Sequence, residues 1–366
     1  MLRTLTPRSR RILMTVDAVG GVWRYALDLA REFVDGGDSV LLAGLGPEPS
    51  TQQAEEARSL ATLTWLNTPP DWMTRNASDL DALPGELHAP IRDHAIDLVH
   101  LNAPTQAVGL DAPCPVVVVS HSCVVTWFHA VKGQAVNSTW DWQKQRNRRG
   151  FDRADAVIAP SHSHAAMLET CYGQIARLNV VANGARPVAK AEKRQPLVFA
   201  AARWWDEAKN ATVIDQAASI TQWPVFAAGS TLGPDGQRAG FSHAVALGAL
   251  PHDEMRSLMA RAGIFVSPSL YEPFGLATLE AAMSATPLVL SDIATYRELW
   301  DGAALFYDAR DPHDLAACIN RLSADAQHRR ELGRAALRRS RRFSLARQAA
   351  AMRDVYDKAA LAMAER

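Results

Sequence analysis

The stretch from Val266 to Asp292 changes its hydrophobic period twice: Val-Ser-Pro-Ser-Leu-Tyr-Glu-Pro-Phe-Gly-Leu-Ala-Thr-Leu-Glu-Ala-Ala-Met-Ser-Ala-Thr-Pro-Leu-Val-Leu-Ser-Asp. An unbroken apolar run, Gly263 to Val266, predicts a buried strand. Pro268 and Pro273 bar regular structure in the polar turn that follows. From about Gly275, residues Leu276, Leu279, Ala282 and Met283 recur at three- and four-residue spacing, which predicts a helix. Thr286-Pro287 ends it, and Leu288 to Leu290 starts another strand. That order confines the stretch to a βαβ unit, with Glu272 in the loop and Glu280 in the second turn of the helix.

A helix start presents unpaired N–H groups and the positive end of the helix dipole. Gly275 lets a ligand approach the backbone closely, so the amides of Phe274, Gly275 and Leu276 suit a phosphate or sugar hydroxyls. Two carboxylates beside an anion site suit hydroxyl groups, which donate to them. Phosphate and hydroxyls together describe a nucleotide sugar. The alternative is an ordinary βαβ unit with surface glutamates.

A chain of 366 residues has room for two domains, and 48% hydrophobic content supplies their cores. The 39 basic and 39 acidic residues cancel, so no global field draws nucleic acid. Cys114, Cys123, Cys171 and Cys318 lack metal or redox spacing and read as reduced thiols of a cytoplasmic protein. Leu2 to Arg11 is too basic and polar, and Ile12 to Val16 too short, for a signal peptide. No apolar run is long enough to span a bilayer. Peripheral contact with the inner face of a membrane stays open.

The N-terminal half alternates in the same way. Arg11 to Val16 predicts a buried strand, and Tyr25, Leu27, Leu29, Ala30 and Phe33 predict a helix ending at Gly36-Gly37. Gly20 and Gly21 at the junction suit a phosphate or a purely steric turn; the spacing is not that of dinucleotide enzymes. Ser39 to Ala43, Thr62 to Leu66, Asp97 to Leu101, Pro115 to Val119, Ala154 to Pro160 and Leu178 to Ala182 read as further strands, with a short helix at about Pro90 to Ala95. His121, in Ser120-His121-Ser122, falls at a strand's C-terminal end, where open α/β sheets bind ligands; His100 ends another strand with less support. Both are equally readable as structural histidines. Val124 to Arg153 carries Trp127, Phe128, His129, Trp140 and Trp142, then Lys144, Arg146, Arg148, Arg149 and Arg153. It reads either as a core-packing helix with a solvated basic face or as an acceptor-binding wall at a membrane surface.

Ala185 to Pro196 has no apolar pattern and reads as a linker. Leu197 to Ala201 opens a second set of strands. Arg203 and Lys209 follow it, six positions apart in one βα turn, placed to face one anion or to be two surface cations. Helices are expected from near Asn210, over Asp253 to Arg261, around Glu298, from Asp311-Pro312, over Asp325 to Arg342 and over Leu345 to Met363.

Glu272, seven residues, then Glu280, with Pro-Phe-Gly-Leu between and Glu-Ala-Ala at the end, resembles the E-x7-E motif of retaining GT-B glycosyltransferases of family four (glycosyl transferases group 1). The resemblance is strong over most of the C-terminal half and looser over the N-terminal half. It implies an α/β GT-B architecture, two Rossmann-like domains facing a central cleft. An acceptor domain is expected over 1–186, a nucleotide-sugar domain over 187–343, and a helix over 344–366 crossing back to the first domain. It implies that Glu272 contacts the transferred sugar and Glu280 the ribose, that Gly20 and Gly21 reach the donor phosphate, and that the Leu250 backbone contacts the base. Arg203 and Lys209 resemble the family's pair on the diphosphate, with Ala202 and Asn210 departing from the glycines common beside them. His121 is a further catalytic candidate.

The expected activity is a retaining transfer of a hexose from a UDP- or GDP-sugar to a glycan or lipid-linked acceptor hydroxyl. No Asp-x-Asp ends a strand, so neither a metal nor a cofactor is expected. The competing readings are a nucleotide-sugar epimerase on the same fold and a non-catalytic nucleotide-sugar scaffold.

Overall fold

The computed structural model describes residues 9–187, 193–234 and 236–365. The start of the chain, the middle of the expected linker (188–192) and Asp235 lie outside the described residues. The chain divides into two units: one takes in residues up to His129, Gln134–Asn183 and Leu345 onward, the other Gly184–Ser344 with Ala130–Gly133.

The first unit is built on seven parallel strands: β1 (Arg11–Asp17), β2 (Ser39–Leu45), β3 (Thr62–Trp65), β4 (Leu98–Leu101), β5 (Val116–Val119), β6 (Ala156–Ala159) and β7 (Leu178–Val180). Its helices are α1 (Gly21–Asp35), α2 (Thr51–Arg58), α3 (Leu83–Asp93), α4 (Val124–Trp127), α5 (Asp141–Arg153) and α6 (His162–Tyr172). The strand order is β3-β2-β1-β4-β5-β6-β7, so the winding reverses between β1 and β4. Both faces are covered, which is why β4, β5 and β6 are buried at every position.

The second unit has six parallel strands: β8 (Gln195–Ala201), β9 (Val225–Ala228), β10 (Val245–Gly248), β11 (Ala262–Ser267), β12 (Leu288–Ser291) and β13 (Leu305–Tyr307). They alternate with α7 (Ala211–Ala218), α8 (His252–Arg261), α9 (Leu276–Met283), α10 (Ala294–Trp300), α11 (Pro312–Ala324) and α12 (Ala326–Ser340). The order β10-β9-β8-β11-β12-β13 reverses between β8 and β11. The last helix, α13 (Leu345–Ala364), belongs to the first unit, where Arg353 donates to Asp38 and to the carbonyls of Glu32 and Phe33 at the end of α1.

Two expectations change. The helix expected at Pro90 to Ala95 is α3, Leu83–Asp93, with Pro84 in its first turn and Pro90 inside it. Pro84 lacks an N–H that has no helical partner there, and the buried face of Leu83, Leu87 and Ile91 outweighs the one bond Pro90 forgoes. Val124 to Arg153 is not one helix: α4 and α5 are separated by a wide turn at Phe128–Lys132 and a tight one at Ser138–Trp140. Its cations are largely tied up internally. Arg146, with 7% of its side chain exposed, donates to the carbonyls of Ala77, Leu80 and Thr105 and pairs with Asp81. Arg148 donates to Gln174 O and Arg153 to Leu110 O. Among the described residues no helix is long and apolar enough to cross a membrane.

Candidate active site

Open α/β sheets bind ligands beyond the carboxyl ends of their strands, where the winding reverses. In the second unit that point lies between β8 and β11, and the residues singled out by sequence fall on its two sides. Arg203 and Lys209 follow β8; Glu272, Phe274, Gly275 and Leu276 follow β11.

The turn after β8 is held from below. Trp204 is buried and donates from Nε1 to Ala228 O at 2.8 Å, while the Arg203 guanidinium lies 5.4 Å from the centre of the Trp205 ring. Arg203 keeps 42% of its side chain exposed and stands 3.8 Å from Asp206. Asp206 accepts from the amide of Ala208, closing a short turn that ends in Lys209. Asn210 then takes a left-handed conformation, φ 56°, and its amide donates to Pro268 O and Ala309 O. A glycine would suit that backbone; asparagine tolerates it and also staples three loops together.

The loop after β11 is fastened to this turn. Leu270 N donates to Ala208 O at 2.8 Å, and the Ser291 hydroxyl donates to Ser269 O. Lys209 Nζ lies 2.6 Å from Glu272 Oε2, with 15% and 19% of the two side chains exposed. Ser269 donates to the same oxygen at 3.4 Å. Gly275 caps α9 at φ +89°, where a Cβ would stand 3.0 Å from the Tyr296 ring. Tyr296 is fully buried, with its hydroxyl 2.5 Å from Ser267 Oγ; burial and the charge of Glu272 push its ionisation well above the usual range. The Phe274 ring is buried edge-on against Phe343, so only its backbone is available to a ligand. Leu276, half-buried, is the first residue of α9.

Glu280 is buried one turn into α9 and meets a partner that sequence reasoning missed. His252 Nε2 lies 2.8 Å from Glu280 Oε1. His252 is the first residue of α8 and stands 28 residues from Glu280, a separation no local pattern reveals. Leu250, half-buried, sits in the turn between β10 and α8, just after Gly248 at φ +68°.

In the first unit, Gly20 and Gly21 form the start of α1, directly beyond β1, and Val19 N donates to Asp17 Oδ1. His121 follows β5, with Nε2 2.9 Å from Asn102 Oδ1 and its ring edge-on to Tyr25 at 4.4 Å. Burial and the neighbouring His100 and His164 push its pKa down to about 3, so it is neutral at ordinary pH. His100 is fully buried and bonded to Tyr356 and Asn102, which makes it structural.

Two family models match the sequence: Glycosyltransferase Family 4 over residues 19–187 and Glycosyl transferases group 1 over residues 241–339. The chain belongs to glycosyltransferase family four. The first match takes in Gly20, Gly21 and His121, the second Leu250, Glu272 and Glu280; Arg203 and Lys209 lie between them. Sucrose-phosphate synthase from Thermosynechococcus elongatus superimposes with a TM-score of 0.78 at 18% identity, covering 96% of this chain and 99% of that one. Anabaena HepE, solved with UDP and glucose, gives 0.75 at 17%, covering 95% and 99%. These likenesses show the two-domain α/β GT-B fold. The alpha-maltose-1-phosphate synthase of Mycolicibacterium smegmatis is 36% identical over 118 residues, 30% of this family-four chain and 30% of the synthase. The chain thus matches less than a third of that relative's length.

Proposed function

We propose that this chain is a retaining glycosyltransferase that moves a hexose from a UDP- or GDP-sugar to an acceptor hydroxyl in glycan, polysaccharide or glycolipid synthesis. The observation that carries the reading is the Lys209–Glu272 pair, 2.6 Å apart across the point where the second sheet reverses. A cation and a carboxylate held side by side suit a donor whose diphosphate and sugar are themselves adjacent. Arg203, Lys209 and the first amides of α9 stabilise the departing diphosphate, the kind of preorganised electrostatic help that contributes most to catalysis. Glu272 accepts from the sugar's hydroxyls and Glu280, oriented by His252, from the ribose. Gly20, Gly21 and Leu250 lend backbone contacts, and His121 a hydroxyl contact. The leaving diphosphate itself serves as base for the acceptor, without a metal. The complexes of Anabaena HepE with UDP and with UDP-glucose support a uridine donor as the first to try.

The test is a thermal-shift screen against UDP, GDP, ADP and their sugars, with and without magnesium, followed by donor turnover. One nucleotide raising the melting point without magnesium, and its sugar being consumed, is the expected result. Glu280→Ala should then weaken nucleotide binding and Arg203→Ala mainly lower kcat. No shift with any nucleotide overturns the donor site; binding without turnover in the presence of varied acceptors points instead to a scaffold. A product with inverted anomeric configuration overturns the retaining assignment.

A further inference from the structure

We infer that Asn102 is a positioning residue that sets the tautomer of His121, keeping the proton on Nε2 and leaving Nδ1 as a hydrogen-bond acceptor. Asn102 follows β4, across the reversal of the first sheet from β1. Its side-chain Nδ2 donates to Thr15 O at 2.5 Å, and its backbone N–H donates to Thr15 Oγ1 at 2.8 Å. The Thr15 hydroxyl in turn donates to Gln106 Oε1 at 2.7 Å. A backbone carbonyl only accepts, so the amide nitrogen must face Thr15 and the amide oxygen must face away.

That oxygen lies 3.2 Å from His100 Nε2 and 2.9 Å from His121 Nε2. An amide oxygen has two lone pairs and no proton, so both imidazoles must donate to it from Nε2. Burial holds both rings neutral near neutral pH, so each carries a single proton. With that proton on Nε2, each Nδ1 is bare. For His100 this sets the direction of the bond to Tyr356 on α13, whose hydroxyl, 2.5 Å from Nδ1, then donates to it. Every link from Gln106 through Thr15 and Asn102 to Tyr356 then has one donor and one acceptor. Reversing the proton on either ring sets a lone pair against the Asn102 oxygen.

The chemical consequence falls on His121. Its Nδ1 accepts an O–H and cannot donate to a phosphate. His121 is therefore a recognition group for a sugar or acceptor hydroxyl rather than a stabiliser of the diphosphate. This role rests on the proposed transferase reading; the tautomer does not.

The test uses full-length protein labelled with ¹⁵N-histidine, with His121→Gln to assign the signal. Long-range ¹H–¹⁵N correlation without donor should show His121 as a single, Nε2-protonated ring near neutral pH. In Asn102→Ala the ring should populate both tautomers. The variant's kcat should fall about tenfold, the scale of one lost hydrogen bond, with nucleotide affinity changed less than about twofold. A wild-type ring protonated on Nδ1, or on both nitrogens, overturns the inference whether or not the variant folds. An unchanged tautomer in Asn102→Ala overturns it too. If no donor is ever turned over, the transferase reading fails while the tautomer result stands on its own.

Discussion

Lys209 and Glu272 sit on different loops, and each is mostly covered. Removing one charge leaves the other partly buried without its partner. Lys209→Ala should therefore cost about 1–3 kcal/mol in denaturant unfolding and also lower kcat. If stability is unchanged, the pair is no more than a surface contact. Gly275→Ala tests the backbone instead. The left-handed φ strains any side chain, and the new methyl meets the Tyr296 ring. A loss of about 1–3 kcal/mol is expected, together with weaker nucleotide binding as the start of α9 shifts. The same variant melting like wild type would show that the helix start adapts. Both residues stood out in the sequence by type and spacing. His252 did not, because a lone histidine at the start of α8 gives no hint of a glutamate 28 residues on.

Elements were read correctly where one period ran unbroken. The apolar runs that became β5, β6 and β11 are examples, as is the helix start at Asp311-Pro312, which is the start of α11 with Pro312 as its first residue. Two elements differ from the expectation. Pro90 looked like a boundary and lies inside α3; Val124 to Arg153 looked continuous and is divided by two turns. In the second, the chain turns at Gly133, in the left-handed conformation at φ +66°. Burial of Leu83, Leu87 and Ile91 decided the first, and burial depends on neighbours far away in sequence. Element α13 shows the same dependence. Arg353 reaches the last carbonyls of α1 and the buried Asp38, more than 300 residues earlier. Arg353→Met keeps the aliphatic stem but frees those acceptors, so unfolding should become easier by about 1–3 kcal/mol. An unaltered denaturation midpoint would mean that α13 is held by its apolar face alone.

At the scale of the molecule, three buried or half-buried histidines of the first unit, His100, His121 and His164, all have lowered pKa values, each mainly from burial. For His100 the folded value is about 4 against 6.5 for the free side chain. Between those values the unfolded chain binds a proton that the folded chain refuses. The stability is thus fully present above 6.5 and is lost as pH falls towards 4. Thermal unfolding should show the melting point falling over that window, with a shallower slope in His100→Gln; a flat wild-type profile would contradict the neutral, buried state. By itself the sequence determined the α/β class, the strand–helix alternation, the family, and which glutamates and cations to watch, because those depend on local period, spacing and residue type. Only the tertiary structure decided that Lys209 meets Glu272, that His252 holds Glu280, that Asn102 orients two imidazoles, and that most of the α5 arginines bind carbonyls. Those outcomes depend on strand order and burial, which bring together side chains that no window along the chain contains.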